Sequence, residues 1–150
     1  MRKTSLARTT ISRSSTVLLD THIWVWETAG GTQLSPSTRR IINEAAQTGQ
    51  LRLSAISIWE VSLLALRGKI KLGLPAPAWV AEARAKSRIT LEPVNGEIAL
   101  EAGNLPGGFR SDPADQIIVA TARLTGATLL TRDSRILNYS EAGFLTTMHV

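Results

Sequence analysis

Short apolar runs separated by helix signals set the pattern of this chain. Val17-Leu18-Leu19 is too short and too uniformly apolar for an amphipathic helix, so it reads as a buried strand. Residues 51–56 read as a second strand, 89–92 as a third and Thr128–Thr131 as a fourth, and the last residues are expected to add an edge strand. Helices fall between them. Ser35-Pro36 is an N-cap followed by proline at the first helical position, and Gly49 closes that helix. Ser57 is expected to start the next helix, which stops near Gly68, and Pro77 opens another that runs to about Ser87. A short helix over 97–103 leads into a glycine-rich loop over 105–111. The clearest helix covers 112–125: Ile117, Ile118, Val119, Ala120 and Leu124 supply a broad apolar face, and Gly126 ends it. No internal repeat or long linker interrupts the alternation. Short apolar strands alternating with helices imply an α/β, three-layer sandwich with a central parallel sheet covered on both faces.

Composition narrows this picture without redirecting it. With 150 residues, 43% hydrophobic and 19% charged, the chain has one domain's worth of ordinary globular sequence. It has no cysteine, which excludes disulfides and thiolate metal sites, and its two histidines, His22 and His149, are too few for a histidine-rich zinc site. No apolar run approaches the roughly 18 residues of a membrane span, so a soluble, cytoplasmic protein without membrane contact is expected. The net charge of +5 is mostly local: residues 1–16 hold four of the 17 basic residues and no acid, leaving 13 bases against 12 acids in the remainder. Net charge therefore lends the body no support as a nucleic-acid binder. Residues 1–16 lack a secretory apolar stretch. Their Ser, Thr and Arg overlap the composition of an organellar transit peptide, but a disordered basic extension, or a start upstream of the true one, is the expectation. The folded domain is expected over 17–150.

The chemistry lies in where the acids fall. The four aspartates are Asp20 after the first strand, Asp112 and Asp115 at the start of the clearest helix, and Asp133 after the fourth strand. In parallel α/β sheets the carboxyl ends of the strands line the ligand crevice. Carboxylates gathered there from distant parts of a chain suit a hard cation. Each acid also has a plain structural use. Glu60 lies at capping-box spacing from Ser57, Asp112 before Pro113 is a good N-cap, Asp115 sits in a first turn, and Asp133 suits a cap for a short helix through Ser134-Arg135-Ile136. Asp20, followed by Thr21-His22-Ile23-Trp24, has no such simple role in the sequence. Two carboxylates about 5 Å apart at an effective dielectric of about 20 repel by about 3 kcal/mol. Several such pairs rival a domain's stability of about 5–15 kcal/mol. Converging acids must therefore take up protons or a cation, and Mg²⁺ or Mn²⁺ suits carboxylate and water ligands.

Four segments carry a family resemblance: 17–24, Ser57-Ile58-Trp59-Glu60, Asp112-Pro113-Ala114-Asp115 with the helix after it, and Leu129-Leu130-Thr131-Arg132-Asp133. In this order and spacing the chain resembles PIN-domain proteins, most closely the VapC-type toxins of bacterial toxin–antitoxin pairs, from about Val17 onward. The resemblance implies a PIN-like, Rossmann-like fold and a metal-dependent endoribonuclease that hydrolyses RNA phosphodiester bonds with a metal-activated water. It maps the catalytic and metal-binding acids onto Asp20, Glu60, Asp115 and Asp133, with Asp112 and Thr131 in support. It also implies a cognate antitoxin covering the cleft, a homodimer, and RNA as substrate. The chain departs from the family where many relatives carry a basic pair before the Asp-Pro segment, having Phe109-Arg110-Ser111, and where an arginine is common it has Gln116. These departures bear on RNA contacts near that helix.

Plainer readings stand beside these. His22 suits a packing or capping role as well as the cleft. Trp24, Trp26, Trp59 and Trp79 suit the core as well as base stacking, and Arg67, Lys69 and Lys71 suit a helix end as well as RNA. The apolar residues around 58–66 suit either a partner helix or the monomer's own core. Other phosphate chemistries fit poorly. A receiver domain needs a late lysine, but the last is Lys86; a haloacid-dehalogenase phosphatase needs Asp-x-Asp, but the triplet is Asp20-Thr21-His22; and no P-loop is present. A non-catalytic Mg²⁺-binding module of the same fold, and a DNA-directed or housekeeping nuclease, are the alternatives. A covalent nucleophile is not favoured, since there is no cysteine and no recognisable Ser-His-Asp arrangement.

Overall fold

The computed structural model describes Ile11 and residues 15–150, so most of the basic extension expected over 1–16 lies outside the described residues. The order of elements is β1 Val17–Leu19, α1 Thr21–Ala29, α2 Pro36–Gln47, β2 Leu51–Ser54, α3 Ala55–Leu66, α4 Ala76–Lys86, β3 Thr90–Glu92 and α5 Gly96–Gly103. After a 3₁₀ turn at Pro106–Gly108 come α6 Pro113–Thr125, β4 Thr128–Thr131, α7 Ser134–Glu141 and β5 Thr146–His149. The strands form one sheet in the order β3-β2-β1-β4-β5, and every pairing is parallel. This is the α/β sandwich expected from the alternation of elements.

Strand pleating divides the core into two layers. Val17, Leu19, Leu51, Leu53 and Leu130 face one side, where Ile23 and Trp24 of α1, Ile42 of α2, Val61 of α3 and Trp79 of α4 cover them. Leu18 and Leu129 face the other, beneath Ile98 of α5, Ile118, Val119 and Ala122 of α6, and Ile136 and Tyr139 of α7. β1 is central and wholly buried, which accounts for its lack of polar residues. Among the described residues no helix is long and apolar enough to cross a membrane.

Three boundaries differ from the sequence pattern. The second strand stops at Ser54 rather than at residue 56, because the Ser54 hydroxyl accepts from the Ile56 amide at 3.2 Å and caps α3. Ser57 is therefore a buried residue inside α3 rather than its cap, and the capping-box reading of Glu60 falls with it. α4 begins at Ala76 with Pro75 at its cap, one residue before Pro77. α7 continues past Ile136 to Glu141, and its apolar residues Ile136 and Tyr139 anchor it to the second core layer. In the loop after α5, Gly107 has φ 73° and a Cβ there would lie 2.5 Å from the Phe144 ring, so both conformation and space require glycine.

Candidate active site

The sheet order places β1 beside β4, with β2 leaving on one side and β5 on the other, so the crevice at this switch point opens at their carboxyl ends. Asp20 follows β1 directly and is buried. Its Oδ1 accepts from the Thr21 amide at 2.8 Å, capping α1, and its Oδ2 accepts from the Thr131 hydroxyl at 2.6 Å. Asp20 thus has the structural role that the sequence alone withheld. Thr131 Oγ1 accepts in turn from the Asp133 amide at 3.0 Å, so one hydroxyl locks the ends of β1 and β4 together. Asp133 caps α7 through Oδ1, which accepts from the Arg135 and Ile136 amides at 2.8 and 3.1 Å.

The other half of the cleft comes from α3 and α6. Asp112 caps α6, with Oδ1 accepting from the Asp115 amide at 2.9 Å. Asp115, one turn in, accepts from the Ser111 hydroxyl at 2.6 Å through Oδ2. Glu60 reaches toward them from the half-buried face of α3. One carboxylate oxygen from each of Glu60, Asp112 and Asp115 lies within 4.8 Å of the others. Asp112, expected only to support, thus belongs to the tightest group. Asp20 and Asp133 stand outside that trio, near enough for their charge to act on Asp115.

Electrostatics follow from this crowding. Burial, then repulsion from Asp112, Asp20 and Asp133, pushes the Asp115 carboxyl up to about 7 against the opposing pull of Ser111. Burial also raises Asp20, with the Thr131 hydroxyl and Thr21 amide opposing it and Asp133 adding to it. Glu60 is raised by burial and by Asp20 and Asp112, and eased by Thr21 and His22. The ion pairs among the described residues are Arg39–Glu27, Arg52–Glu92, Lys86–Glu82 and Arg123–Glu101, so none of the five site acids has a basic side chain as partner there. Capping and hydroxyl contacts orient these carboxylates without neutralising them.

A family model described as the PIN domain matches residues 17–142. The chain belongs to the PIN-domain family. It is 34% identical over 125 residues to Ribonuclease VapC22 of Mycobacterium tuberculosis, covering 83% of this chain and 92% of the relative. Solved PIN-like folds align as well. VapBC2 of Rickettsia felis, bound to a promoter DNA fragment, matches with TM-score 0.64 at 18% identity over 88% of this chain and 96% of that one. FitAcB of Neisseria gonorrhoeae matches with TM-score 0.61 at 20% identity over 89% and 96%. At such identities the solved structures speak for the PIN fold alone.

The polar groups around the acids are where sequence reasoning fell short. Ser111 reads as one more loop serine, yet it orients Asp115. Thr21 and Ser57 share a buried 2.8 Å hydroxyl contact that ties α1 to α3 beside Glu60. Their only signal was adjacency to acids in the PIN-like segments. Gln116, standing where family members often have arginine, accepts from the Ser111 amide at 3.3 Å and donates to the Ala102 carbonyl at 2.8 Å. It fastens the loop bearing Ser111 to α5. The tryptophans divide: Trp24 and Trp79 meet edge-on at 4.9 Å in the core, whereas Trp59 is half exposed. His22 is exposed, and Arg67, Lys69 and Lys71 are exposed beyond α3. Two cavities of about 250 and 230 Å³ lie among α1, α2 and α4, and none of the site acids lines either.

Proposed function

We propose that this PIN domain is a Mg²⁺- or Mn²⁺-dependent endoribonuclease and the toxin of a toxin–antitoxin pair, acting in the cytoplasm. The observation that carries the reading is the approach of Glu60, Asp112 and Asp115 to within 4.8 Å, with Asp20 and Asp133 adding charge at the same strand ends. The donor set fits the cation. It is all carboxylate oxygen, and the Asp115 carboxyl, at about 7, is ready to exchange a proton for a metal ion near neutral pH. Asp20, Glu60, Asp115 and Asp133 would hold the ion directly or through water, with Asp112 beside them. A divalent cation bound there supplies Lewis acidity to the phosphodiester and lowers the pKa of a water.

The chain's own residues do the positioning. Thr131 and the Thr21 amide fix both oxygens of Asp20, so that carboxylate meets its ligand without reorganising. Ser111 orients the Asp115 carboxylate through Oδ2. Ribonuclease VapC22 supports RNA as the substrate. A toxin–antitoxin complex from Klebsiella pneumoniae, similar in fold, supports a protein antitoxin as partner. An arginine offered by that partner would pair with the unneutralised carboxylates and compete with the metal. Pairing of the toxin with itself remains part of the proposal, and Trp59 and Leu66, one heptad apart and exposed on α3, mark a face suited to it. Matched RNA and DNA oligonucleotides incubated with Mg²⁺, Mn²⁺ or EDTA test the activity. Cleavage of RNA that EDTA stops is expected; metal-independent cleavage, or cleavage of DNA alone, would overturn the reading.

A further inference from the structure

Beside the acids stands a group of side chains that the hydrolysis does not use. His22 is exposed in the first turn of α1 and near enough to ease the carboxyls of Asp20 and Glu60 downward. One turn along, the Trp26 indole meets the His22 ring at 5.9 Å, tilted by 54°. Over Trp26 lies the Arg132 guanidinium, 4.6 Å from the ring centre. Arg132 is itself the residue between Thr131, which holds Asp20, and Asp133. The three side chains form a ladder that starts at the acid cleft and leads away from it along α1.

The orientation of Arg132 limits what the ladder can bind. Its Nε donates to the Val150 carbonyl and its Nη2 to the Gln33 carbonyl, which fixes the guanidinium plane against Trp26. Trp26 rests its other side on the core layer containing Trp24. Arg132 remains exposed. A carboxylate or phosphate would seek the fork edge of an arginine, and here the Nε–Nη2 edge is taken. Besides the Nη1 donors, the outer face remains open: flat, cationic and backed by an aromatic ring. Unpaired nucleobases stack on such surfaces, on arginine planes as on aromatic rings. Exposed Arg110 and Arg135, close in sequence to Asp112 and Asp133, add positive charge at the rim for the phosphates that accompany a base.

We propose that the Trp26–Arg132 stack, with His22 at its inner end, is the platform on which an unpaired nucleobase adjoining the cleaved phosphate lies. The proposal rests on the endoribonuclease reading and names residues that select single-stranded RNA. It is tested by binding of labelled RNA in an Asp115→Asn background that does not cleave, using fluorescence anisotropy. Two probes serve: an unstructured oligonucleotide containing every dinucleotide step, and an abasic ribose-phosphate oligomer of the same length. Arg132→Lys keeps the charge and removes the plane. It is expected to weaken binding of the base-bearing RNA about tenfold, with an unchanged salt slope, and to leave abasic binding as in the parent. Trp26→Leu should weaken the same probe selectively. Equal binding of base-bearing RNA by parent and Arg132→Lys would overturn the platform, as would equal losses on both probes. A fall in melting temperature with losses on both probes would make Arg132 a clasp between the α1–α2 loop and β5. Those outcomes leave the ribonuclease reading standing, whereas a parent that binds neither probe removes both.

Discussion

Two half-buried polar regions sit at opposite extremes of charge balance. Where α5, α6 and α7 meet, Arg123 donates through Nε to Glu101 at 2.8 Å and through Nη1 to the Phe144 carbonyl. The Tyr139 hydroxyl donates to the Pro106 carbonyl at 2.6 Å, and its ring lies 4.7 Å from both Phe109 and Phe144. In that corner the charge is matched within the chain, as a structure-holding site requires. In the cleft at the ends of β1 and β4, five acids converge and are oriented by hydroxyls and helix amides, without a basic side chain as partner among the described residues. Arg123 is paired in the corner, whereas no arginine is paired with an acid of the cleft among the described residues. Repulsion left uncancelled in one region, beside full pairing in another, supports the proposal that the cleft takes up an external cation.

Exchanging the roles of the two regions should separate activity from stability. The largest effect belongs to the cleft. Asp115→Asn removes a charge that three neighbouring carboxylates oppose, so RNA cleavage should fall at least about 100-fold while the melting temperature holds or rises. Steady-state cleavage together with thermal unfolding checks this, and a destabilised variant would place Asp115 among the structural acids. In the corner the order reverses. Arg123→Ala strips Glu101 and the Phe144 carbonyl of their donor and should cost about 1–3 kcal/mol of stability, with activity per folded molecule retained. Denaturant unfolding beside active-fraction measurements reads both quantities.

The third effect is smaller and depends on pH. Because the folded protein raises Asp115 to about 7, it binds that proton more tightly than the unfolded chain does. Stability from this group is full below the ordinary aspartate range and is lost as pH rises toward 7. With EDTA present, the protein should therefore lose about 1–2 kcal/mol between pH 4 and 7.5, a figure already reduced for solvent screening of a partly exposed carboxyl. Added Mg²⁺ should restore the loss at the upper end, and Asp115→Asn should flatten the profile. A metal-free protein whose melting temperature climbs over that range would contradict the shift.

The contrast also explains what the sequence made legible. β1 and β4 are readable because strands buried on both faces admit almost no polar residue, and α6 because Asp112-Pro113 and Gly126 punctuate a long apolar face. The acids are readable because aspartate is confined to these element ends. The boundary at Ser54 is not, since Ser54 and Ser57 offer equal capping chemistry and only packing decides which one turns inward. Local pattern is equally silent on the grouping of Asp112 with Glu60, which depends on how α3 leans on α6. Ser111 and Gln116 carry no signal of their own, because their partners, Asp115 apart, are backbone groups.

The hydroxyl of Thr131 that holds Asp20 spans a sequence separation of 111 residues. Contacts of that separation close late, because the loop entropy between them must be overcome before they return any energy. While the ribosome is still extending the chain, residue 20 emerges long before residue 131 exists, and the segment bearing Asp112 and Asp115 also comes late. The cleft therefore assembles only when nearly the whole domain has been synthesised. Both halves of the cleft, the end of β1 and the segments bearing Asp115 and Asp133, are thus coupled to completion of the fold rather than to any one element of it.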